Sequence, residues 1–337
     1  MTPLLSIILP TYNGGLFLRE QIDSILTQTH QDFELLILDD GSSDASMVIA
    51  DSYAAADQRV SVLAASGRAG QANRLLTLSQ AACGEFVAIA DQDDIWDPER
   101  NNKLLAAIGD GAMAIGRSEL IDKDGKRLGT SLLDRLNRPL DPALKLRALI
   151  EPMFSGHAMV VRRSSLNPAA FASPLTFDWL MALDAIYSDG LVYVDDAIVF
   201  HRIHGGNQVN NLDMTTDPGR LSAALIREAF LNQRALRLKF WLVLSYLGRS
   251  NIVPFADRQI FAKFADRCHM AWYSHWRSVK PFKTALAQEI KDELGCFSLI
   301  EEDRRYFGQR MDKLAAASTI GAGFREVYDR IKARQSV

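Results

Sequence analysis

Short apolar runs alternate with amphipathic stretches in the front part of the chain. The runs Leu4–Leu9, Phe33–Leu38, Val60–Leu63 and Phe86–Ala90 are short and mainly apolar, which is typical of buried strands, and the second and fourth end directly at aspartates. Between the first two runs, apolar residues recur as on one face of a helix, at Leu18, Ile22, Ile25 and Leu26. This alternation predicts an α/β fold in which helices cover a mostly parallel sheet and ligands bind at the carboxyl ends of the strands.

Acidic residues follow the last of these strands directly, in the sequence Asp91-Gln92-Asp93-Asp94-Ile95-Trp96. Carboxylates this close together repel one another unless a cation lies between them, and a hard divalent ion such as Mg²⁺ prefers oxygen ligands of this kind. An acidic surface loop is the competing interpretation. Because the cluster closes a buried strand and Pro98-Glu99 is typical of the first turn of a helix, we interpret it as a metal–diphosphate site.

Length and charge indicate two modules. A chain of 337 residues with 48% hydrophobic residues is long for one domain and comfortable for two. The formal net charge is −3, but the segment from Arg220 onward holds 21 Lys and Arg against 12 Asp and Glu. The part before it holds the remaining 17 basic and 29 acidic residues. An acidic front part and a basic back part predict modules with different partners.

The cysteines and the apolar runs bear on the compartment. Cys83, Cys268 and Cys296 are widely spaced and form no CxxC pair, which argues against a disulfide framework or a zinc site and fits a reducing compartment. The amino terminus lacks the basic segment of a signal peptide. The longest apolar candidate, Phe240–Leu247, is far shorter than the roughly 18 residues that span a bilayer. A cytoplasmic location is therefore expected.

Two common phosphate-binding motifs are absent from the sequence. The turn after the first strand, Pro10–Gly15, lacks the GxGxxG pattern of dinucleotide folds, and no Gly-Lys-Ser/Thr sequence marks a Walker loop. Phosphate charge is therefore expected to meet a metal ion instead of a glycine-rich cradle. No recognition motif for nucleic acid is present either, and no nucleic-acid partner is expected.

Several motifs together carry a resemblance to a known family. In chain order they are PTYN at Pro10–Asn13, LDDGSSD at Leu38–Asp44, GQAN at Gly70–Asn73, DQDDIW at Asp91–Trp96, FDW at Phe177–Trp179 and HRIHGGN at His201–Asn207. Over roughly residues 4–210 the chain resembles glycosyltransferase family 2, and the DQDDIW form is similar to its rhamnosyltransferase-like branch. The resemblance implies the A-type glycosyltransferase fold, which is Rossmann-like with a mostly parallel sheet flanked by helices. It also implies an inverting enzyme that uses nucleotide-diphosphate sugars.

The resemblance implies a nucleotide site built from the turns at the strand ends. Its residues are Pro10, Thr11, Tyr12, Asn13, Asp39, Asp40, Asn73 and Asp91. A carboxylate suits a base edge and ribose hydroxyls because it only accepts hydrogen bonds. The competing interpretations are a helix cap or turn for Asp39-Asp40 and a plain helix start for Asn73.

The resemblance also implies a place for the sugar and the diphosphate. The donor/acceptor pocket is expected at Gly156, His157, Trp179 and Arg202, and a divalent metal, Mg²⁺ or Mn²⁺, is expected on Asp93 and His204. The glycine leaves room beneath the donor sugar. A lone histidine such as His157 is more often packed or on the surface, and a structural role is the alternative for His204. Arg202 and His201 are also candidates for phosphate contact.

Asp178 is the residue that the resemblance assigns as the catalytic base. It stands between Phe177 and Trp179 at the start of a predicted helix, where an aspartate is ordinarily a cap. Many relatives have His at the position of Phe177, so any role of that preceding residue is left open. As the base, Asp178 takes the proton of the acceptor hydroxyl while the metal neutralises the departing diphosphate.

The back part of the chain is predicted to be helical. A polar linker near Asn211 separates a catalytic domain over residues 1–211 from a helical C-terminal domain over residues 212–337. Aromatic, apolar and basic residues mix in these helices, as in Arg234–Arg249. A bundle that buries its apolar faces is one interpretation. The other is a surface that binds anionic lipid or a membrane-bound partner.

Together these features predict a metal-dependent inverting glycosyltransferase whose donor is a nucleotide-diphosphate sugar, such as dTDP-rhamnose or a UDP-sugar. The expected acceptor is a glycan or a lipid-linked glycan of bacterial surface polysaccharide, for example lipopolysaccharide. The expected location is the cytoplasmic face of the inner membrane, with peripheral attachment. The alternative is a catalytically silent subunit of the same fold that binds sugar nucleotides or serves assembly. The intact set of Asp91, Asp93, Asp178 and His204 favours the enzyme.

The basic back part predicts salt-sensitive attachment to anionic membranes. Each Lys or Arg close to anionic lipid contributes roughly 1 kcal/mol, so a handful suffices for reversible binding. The full chain is expected to pellet with anionic liposomes at low salt and to leave them at high salt, because exposed charges are screened within about a nanometre. Truncation near Asn211 should abolish pelleting. A full chain that ignores such liposomes at low salt would contradict membrane attachment.

Overall fold

Strands and helices are placed by a computed structural model that describes residues 3–65, 67–131, 134, 145–152, 154–204, 233–273, 280–294, 297 and 301–316. The chain divides into two units. One comprises residues 1–142 with 153–212, and the other comprises residues 143–152 with 213–337. All the predicted site residues belong to the first unit. The assignment of catalysis to residues 1–211 stays a prediction.

Among the described residues, eight strands form one sheet. In chain order they are β1 (Leu5–Thr11), β2 (Phe33–Asp39), β3 (Val60–Leu63), β4 (Phe86–Ile89), β5 (Ile95–Trp96), β6 (Met113–Ile121), β7 (Met159–Arg162) and β8 (Leu191–Arg202). Their order in the sheet is β3-β2-β1-β4-β7-β6-β8-β5. The pairs β1–β2, β1–β4, β2–β3 and β6–β8 are parallel. The pairs β4–β7, β6–β7 and β5–β8 are antiparallel. The predicted mostly parallel sheet is confirmed.

Helices account for much of the remaining described chain. In chain order they are α1 (Leu18–Leu26), α2 (Ser46–Ala56), α3 (Gln71–Ala81), α4 (Arg100–Ile108), α5 (Lys145–Ala148), α6 (Pro168–Phe171), α7 (Phe177–Tyr187), α8 (Gln233–Leu247), α9 (Phe255–Tyr273), α10 (Lys280–Leu294) and α11 (Glu301–Ala316). α5 and α8 to α11 belong to the second unit, and the other helices belong to the first.

Burial of apolar side chains explains the central strands. Every residue of β1 is buried, and it lies between β2 and β4. On α1, Leu18, Ile22 and Ile25 are fully buried, as their spacing predicts. Burying one such side chain contributes about 1.5–3 kcal/mol. The apolar runs of the sequence therefore decide which segments become the centre of the sheet.

β1 is longer than its apolar run predicts. The run ends at Leu9 and Pro10 was expected to begin a turn, but β1 continues to Thr11. Proline has no amide to donate to a neighbouring strand, so its place in a sheet is restricted. Here the pairing with β4 ends at Ile8, and only β2 lies opposite Pro10. Pro10 therefore lies beyond the end of the β1–β4 pairing, where its missing amide interrupts no bond to β4.

The parallel strands end at the same edge of the sheet. Thr11 lies opposite Asp39 in the register of β1 and β2, and the Asp40 amide donates to Thr11 O at 2.8 Å. β4 flanks β1 on its other side, and Asp91 follows shortly after β4 ends. Polar residues from three segments of the sequence therefore meet at one edge, as the alternation of strands and helices predicts.

The two-residue strand β5 connects the segment that follows β4 to the end of β8. We call Asp91–Asp94, which connects β4 to β5, the carboxylate loop. β5 pairs with the end of β8, with Ile95 opposite Phe200. Because His201 and Arg202 are the last residues of β8, this pairing brings them beside the carboxylate loop.

The second unit buries several aromatic side chains of its described helices, whereas Phe255 at the start of α9 is 68% exposed. Phe240, Phe261 and Phe264 are fully buried, and Trp241 is 8% exposed. The buried carboxylate of Asp303 accepts hydrogen bonds from the first amides of α5, those of Leu146 and Arg147, at 2.9 and 2.8 Å. For these aromatic residues, the bundle interpretation gives a sufficient account. Within the described residues, every helix is too short or too polar to cross a bilayer.

Candidate active site

A cavity of about 620 Å³ opens at the carboxyl ends of β1, β2 and β4, and its volume is that of a typical small-ligand site. The predicted site residues in its lining are Pro10, Thr11, Tyr12, Asp40, Asn73, Asp91, Asp93, Gly156, His157 and Asp178. The predicted residues outside its lining are Asn13, Asp39, Trp179, Arg202 and His204. The structure thus brings most of the residues predicted for nucleotide, sugar and proton transfer into one space.

Gln92 joins the turn after β1 to the carboxylate loop. Its Oε1 accepts hydrogen bonds from the Thr11 hydroxyl and the Tyr12 amide, both at 2.8 Å, and its Nε2 donates to Tyr12 O at 3.1 Å. A Cβ at Gly14 would lie 2.4 Å from Gln92 Oε1, so a larger residue there would require the Gln92 amide to move. Gln92 was not among the predicted site residues. The signal for it is that a side-chain amide both donates and accepts hydrogen bonds.

Asp39 and Asn13 shape the turns beside the cavity. Asp39 Oδ2 accepts hydrogen bonds from the amides of Gly41 and Ser42 at 2.9 and 2.8 Å. Asn13 adopts a left-handed backbone with φ 49°, and its Oδ1 accepts from the Ser43 amide at 2.8 Å. Asparagine tolerates this conformation better than most residues. The turn interpretation therefore accounts for the position of Asp39.

Asp40 anchors the segment that forms the opposite wall of the cavity. Its side chain is buried and accepts hydrogen bonds from the amides of Ala69 and Gly70 at 2.6 and 2.9 Å and from Arg74 Nε at 2.8 Å. Burial on its own raises the pKa of Asp40, but these bonds and the Arg74 charge outweigh it and hold the pKa below its ordinary value. Asp40 therefore lines the cavity as a permanent anion that is already well solvated by the protein.

The segment anchored by Asp40 supplies two further groups to the cavity. The guanidinium carbon of Arg68 lies 3.9 Å from the centroid of the Tyr12 ring, which is close enough for a cation–π contact. Asn73 lies in the first turn of α3 and donates from Nδ2 to Ala69 O at 2.7 Å. Arg68 was missed from the sequence because its partner Tyr12 stands 56 residues earlier.

Within the carboxylate loop, Asp93 is the carboxylate whose negative charge is least compensated by its surroundings. Its Oδ2 lies 2.8 Å from His204 Nε2. Burial, followed by the charges of Asp94 and Asp91, raises the pKa of Asp93 to about 6, and the His204 hydrogen bond opposes this rise. A divalent ion would replace the repulsion between carboxylates by attraction. Carboxylates and imidazoles are both common ligands of divalent metals, so Asp93 and His204 fit a metal ion.

Asp94 is fully buried beside two histidines and was missed as a site residue. Its Oδ1 accepts hydrogen bonds from His201 Nδ1 at 2.8 Å and from the Arg202 amide at 3.1 Å, and its Oδ2 lies 3.6 Å from His157 Nδ1. Burial lowers the pKa of His201, but the charge and hydrogen bond of Asp94 raise it further, to about 9. His201 is therefore a cation at neutral pH and balances Asp94.

A second set of side chains has the residue types and spacing of metal ligands. One ligating atom from each of Asp91, Asp94, His157 and His201 lies within 4.8 Å of all the others. The rings of His157 and His201 stack with their centroids 4.6 Å apart. Because the Asp94 charge is already balanced by His201, charge compensation favours Asp93 and His204 as the metal ligands. His201 was predicted as a candidate for phosphate contact, but its pairing with Asp94 was not predicted.

Asp178 lines the cavity from the first turn of α7. Its Oδ1 accepts a hydrogen bond from the Trp179 amide at 2.8 Å. Burial is the largest influence on its pKa and raises it, against the hydrogen bonds that the carboxylate receives. A Cβ at Gly156 would lie 3.0 Å from the Phe177 ring, so this ring occupies the space beside the glycine. The buried Trp179 packs in the core and lies outside the cavity lining.

Arg202 lies behind the cavity instead of in its lining. Its side chain is 1% exposed. Nε donates to Asp93 O at 2.9 Å, and Nη1 donates to Lys123 O at 3.0 Å. Arg202 was predicted to line the donor/acceptor pocket. The structure places it outside the cavity lining, where its guanidinium donates to backbone carbonyls.

The sequence profile of glycosyl transferase family 2 matches residues 6–168. Glycosyltransferase GlyG of Streptococcus pneumoniae is 27% identical over 224 aligned positions, and the match covers 61% of this chain and 73% of GlyG. A shorter segment of 93 residues, 28% of this chain and 36% of the relative, is 38% identical to WfgD of Escherichia coli. WfgD is named UDP-Glc:alpha-D-GlcNAc-diphosphoundecaprenol beta-1,3-glucosyltransferase.

Among solved structures, TarS (1–349) of S. aureus in complex with UDP-GlcNAc is similar to this chain. The TM-score is 0.55 at 15% sequence identity, and the match covers 98% of this chain and 92% of TarS (1–349). At this identity the likeness shows the fold alone. It confirms the predicted A-type glycosyltransferase fold.

The anchoring role of Asp40 predicts a pH-dependent loss of stability in Asp40→Asn. At neutral pH the variant should lose about 1–3 kcal/mol, because buried donors lose their charged acceptor. The folded-state pKa of Asp40 is lowered from 3.8, so its contribution is present above that value and is lost as the pH falls through the lowered pKa. Urea unfolding should therefore show the two proteins converging as the pH drops below 3.8.

Asp57→Asn provides the control for this prediction. Asp57 pairs with Arg59 at 2.6 Å, but both side chains are about a quarter exposed. Its loss should cost less than about 1 kcal/mol, because water screens exposed ion pairs. An Asp40→Asn protein as stable as the wild type at neutral pH would show that Asp40 does not anchor the cavity wall.

Proposed function

We propose that this chain, which belongs to glycosyltransferase family 2 through residues 6–168, transfers a sugar from a nucleotide-diphosphate donor with inversion and with the help of a divalent metal. Glycosyltransferase activity follows from the family and the fold. The donor, the metal and the stereochemistry are the parts that we add. The observation that carries them is the convergence of Tyr12, Asp93 and Asp178 on one cavity at the strand ends.

The donor fits the cavity by size and by the order of its lining. Tyr12 and Asp40 line the part formed by β1 and β2, the carboxylate loop lies next to them, and Asp178 lies in the part formed by α7. A nucleoside, a diphosphate and a sugar can follow the same order. The relatives support this donor class, because WfgD is named for UDP-Glc and TarS binds UDP-GlcNAc. We therefore propose a UDP-sugar or dTDP-rhamnose as the donor.

The proposed metal is Mg²⁺ or Mn²⁺, held by Asp93 and His204. When bound there, it would supply positive charge to the diphosphate oxygens of the donor and of the departing nucleotide. The chain's own charge balance supports this ligand pair, since Asp93 is the carboxylate whose pKa is raised to about 6 by burial and by its neighbours. Asp91 would contact the ribose or a metal-bound water.

Asp178 is the proposed base of the transfer step. It accepts the proton of the acceptor hydroxyl as the oxygen attacks the anomeric carbon. Burial raises the pKa of Asp178, which makes the carboxylate a stronger base than an exposed aspartate. A single displacement inverts the anomeric centre, because attack and departure take place on opposite faces of the sugar. Gly156 and the Phe177 ring form the wall next to this reacting centre.

We further propose a glycan or lipid-linked acceptor in bacterial surface polysaccharide synthesis. WfgD supports this class, since its name gives a diphosphoundecaprenol-linked sugar as the acceptor. With such an acceptor the enzyme would act at the cytoplasmic face of the membrane, where the basic helical part of the chain would attach it. The alternative, a silent subunit that binds sugar nucleotides, is disfavoured by the presence of Asp91, Asp93 and Asp178 in one cavity.

Asp93→Ala is expected to abolish metal-dependent turnover. The variant should also bind UDP more weakly in the presence of Mn²⁺, because a metal ion held there would lose one of its two proposed protein ligands. Nucleotide release from a panel of nucleotide sugars, with and without chelator, measures the turnover. Asp124→Ala, which changes an exposed aspartate in the turn after β6, serves as the control. Full activity of Asp93→Ala with chelator present would contradict the metal assignment.

Asp178→Asn is expected to reduce transfer by at least about 10²-fold while leaving UDP binding unchanged. Asparagine keeps the size of the side chain but cannot accept the proton, and general base catalysis contributes typically 10²–10⁴-fold. Asp184→Asn on the same helix is the matched control, because Asp184 is buried but lies outside the cavity lining. Transfer near the wild-type rate combined with a lower melting temperature would identify Asp178 as a structural residue of α7.

A further inference from the structure

We propose that Arg202 is a positioning residue that holds both metal ligands, Asp93 and His204, in the geometry that binds the metal. The inference rests on the metal-dependent function proposed above and adds a residue outside the cavity to it. Arg202 touches neither the cavity nor, by its position, the substrate. Its effect on the reaction would therefore pass entirely through the two ligands.

The guanidinium of Arg202 fixes the backbone of Asp93. Nε donates to Asp93 O at 2.9 Å, and Nη1 donates to Lys123 O in the turn after β6 at 3.0 Å. Nη2 forms an ion pair with Glu20 on α1. Asp93 is thus tied through one rigid, planar group to α1 and to the turn after β6. A side chain that is 1% exposed cannot exchange these partners for water.

The same guanidinium supports His204 through an aromatic ring. Its carbon lies 4.6 Å from the centroid of the Phe17 ring, within the range of a cation–π contact. The Phe17 ring in turn packs against the His204 ring, with centroids 4.9 Å apart and planes tilted by 46°. His204 therefore lies between the Phe17 ring on one side and the Asp93 carboxylate, at 2.8 Å from its Nε2, on the other.

Asp94 keeps Arg202 itself in place. The Asp94 carboxylate accepts a hydrogen bond from the Arg202 amide at 3.1 Å, while the Arg202 side chain donates to the carbonyl of the preceding residue, Asp93. The end of β8 and the carboxylate loop therefore hold each other at two points. This reciprocal pairing fixes the separation between Asp93 and His204, which are 111 residues apart in the sequence.

Only arginine can make this set of contacts. Its guanidinium presents five donors in a fixed plane and stacks on aromatic faces, whereas lysine offers a single compact ammonium group. Arg202→Lys keeps the positive charge but cannot serve Asp93, Lys123, Glu20 and Phe17 together. Groups that orient metal ligands typically contribute 10–100-fold to metal affinity or activity. The substitution therefore separates orientation of the ligands from the mere presence of positive charge.

Arg162→Lys is a matched control at the other end of the sheet. Arg162 donates to the carbonyls of Gly111 at 3.2 Å and Gly109 at 2.5 Å, pairs with Glu85 and lies 4.8 Å from the Phe86 ring centroid. Its partners are thus of the same kinds as those of Arg202. Arg162 lies opposite Phe86, the first residue of β4. The carboxylate loop follows the last residue of β4, at the other end of that strand.

The test measures Mn²⁺ binding by electron paramagnetic resonance with saturating UDP, and UDP binding in chelator by calorimetry. Arg202→Lys should weaken Mn²⁺ binding by about 10–100-fold and leave metal-free UDP binding unchanged. Arg162→Lys should leave both unchanged, even if its melting temperature falls. Unaltered Mn²⁺ binding by Arg202→Lys, or equal weakening by Arg162→Lys, would overturn the inference.

Phe17→Leu decides the question if Arg202→Lys does not fold. Leucine preserves apolar bulk beside α1 but removes the ring between the guanidinium and His204, so Mn²⁺ binding should still weaken. Unchanged Mn²⁺ binding by this variant would overturn the inference. A wild-type protein that binds UDP but no Mn²⁺ would instead refute the metal part of the proposed function, and the inference with it.

Discussion

Repulsion among the three carboxylates of the carboxylate loop is the constraint on which the rest of the site depends. Two like charges about 4 Å apart cost roughly 4 kcal/mol near a protein surface, so Asp91, Asp93 and Asp94 require compensation. Each has an imidazole within 3.2 Å: His157 faces Asp91, His204 faces Asp93 and His201 faces Asp94. His201 lies in β8, His204 follows the end of β8, and His157 lies in the segment before β7. The sheet must therefore be complete before the charges are balanced.

The compensation is unequal, and this inequality gives the site its chemistry. His201 is held as a cation by the buried Asp94, so that pair is neutral in itself. Asp93 keeps a raised pKa despite its bond to His204, which leaves unmet negative charge at the point where the diphosphate is proposed to lie. Arg202, another cation, does not relieve Asp93, since its guanidinium binds the Asp93 carbonyl and not the carboxylate.

The strand ends were predictable because their chemistry is local in the sequence. Asp91 and Asp93 directly follow an apolar run, and Asp40 directly follows another, so the alternation of strands and helices places them at one edge. Asp178 and Gly156 became candidates through a motif and a family resemblance, because no periodicity marks them. Both do line the cavity. The roles proposed for all these residues remain predictions about chemistry.

What escaped prediction depends on pairing between distant segments. β5 has only two residues, too few to show a strand pattern, yet its pairing with β8 brings Asp94 to His201. Arg202 was placed in the substrate pocket because it stands beside two candidate histidines. Successive side chains of a strand point to opposite faces, and Arg202 lies buried behind the cavity that His201 lines. Gln92 and Arg68 likewise act through partners that the sequence alone does not reveal.

The pairing of β5 with β8 also sets an order in time while the chain is being made. The residues that surround Tyr12, Asp40 and the carboxylate loop emerge from the ribosome early, but His204 follows Asp93 by 111 residues. At a synthesis rate of about 5–20 residues per second, Asp93 spends roughly 6–22 seconds without its histidine partner. During that interval the acidic cluster of the nascent chain is not fully compensated. Closure of the sheet by β8 is then the event that turns this cluster into a site.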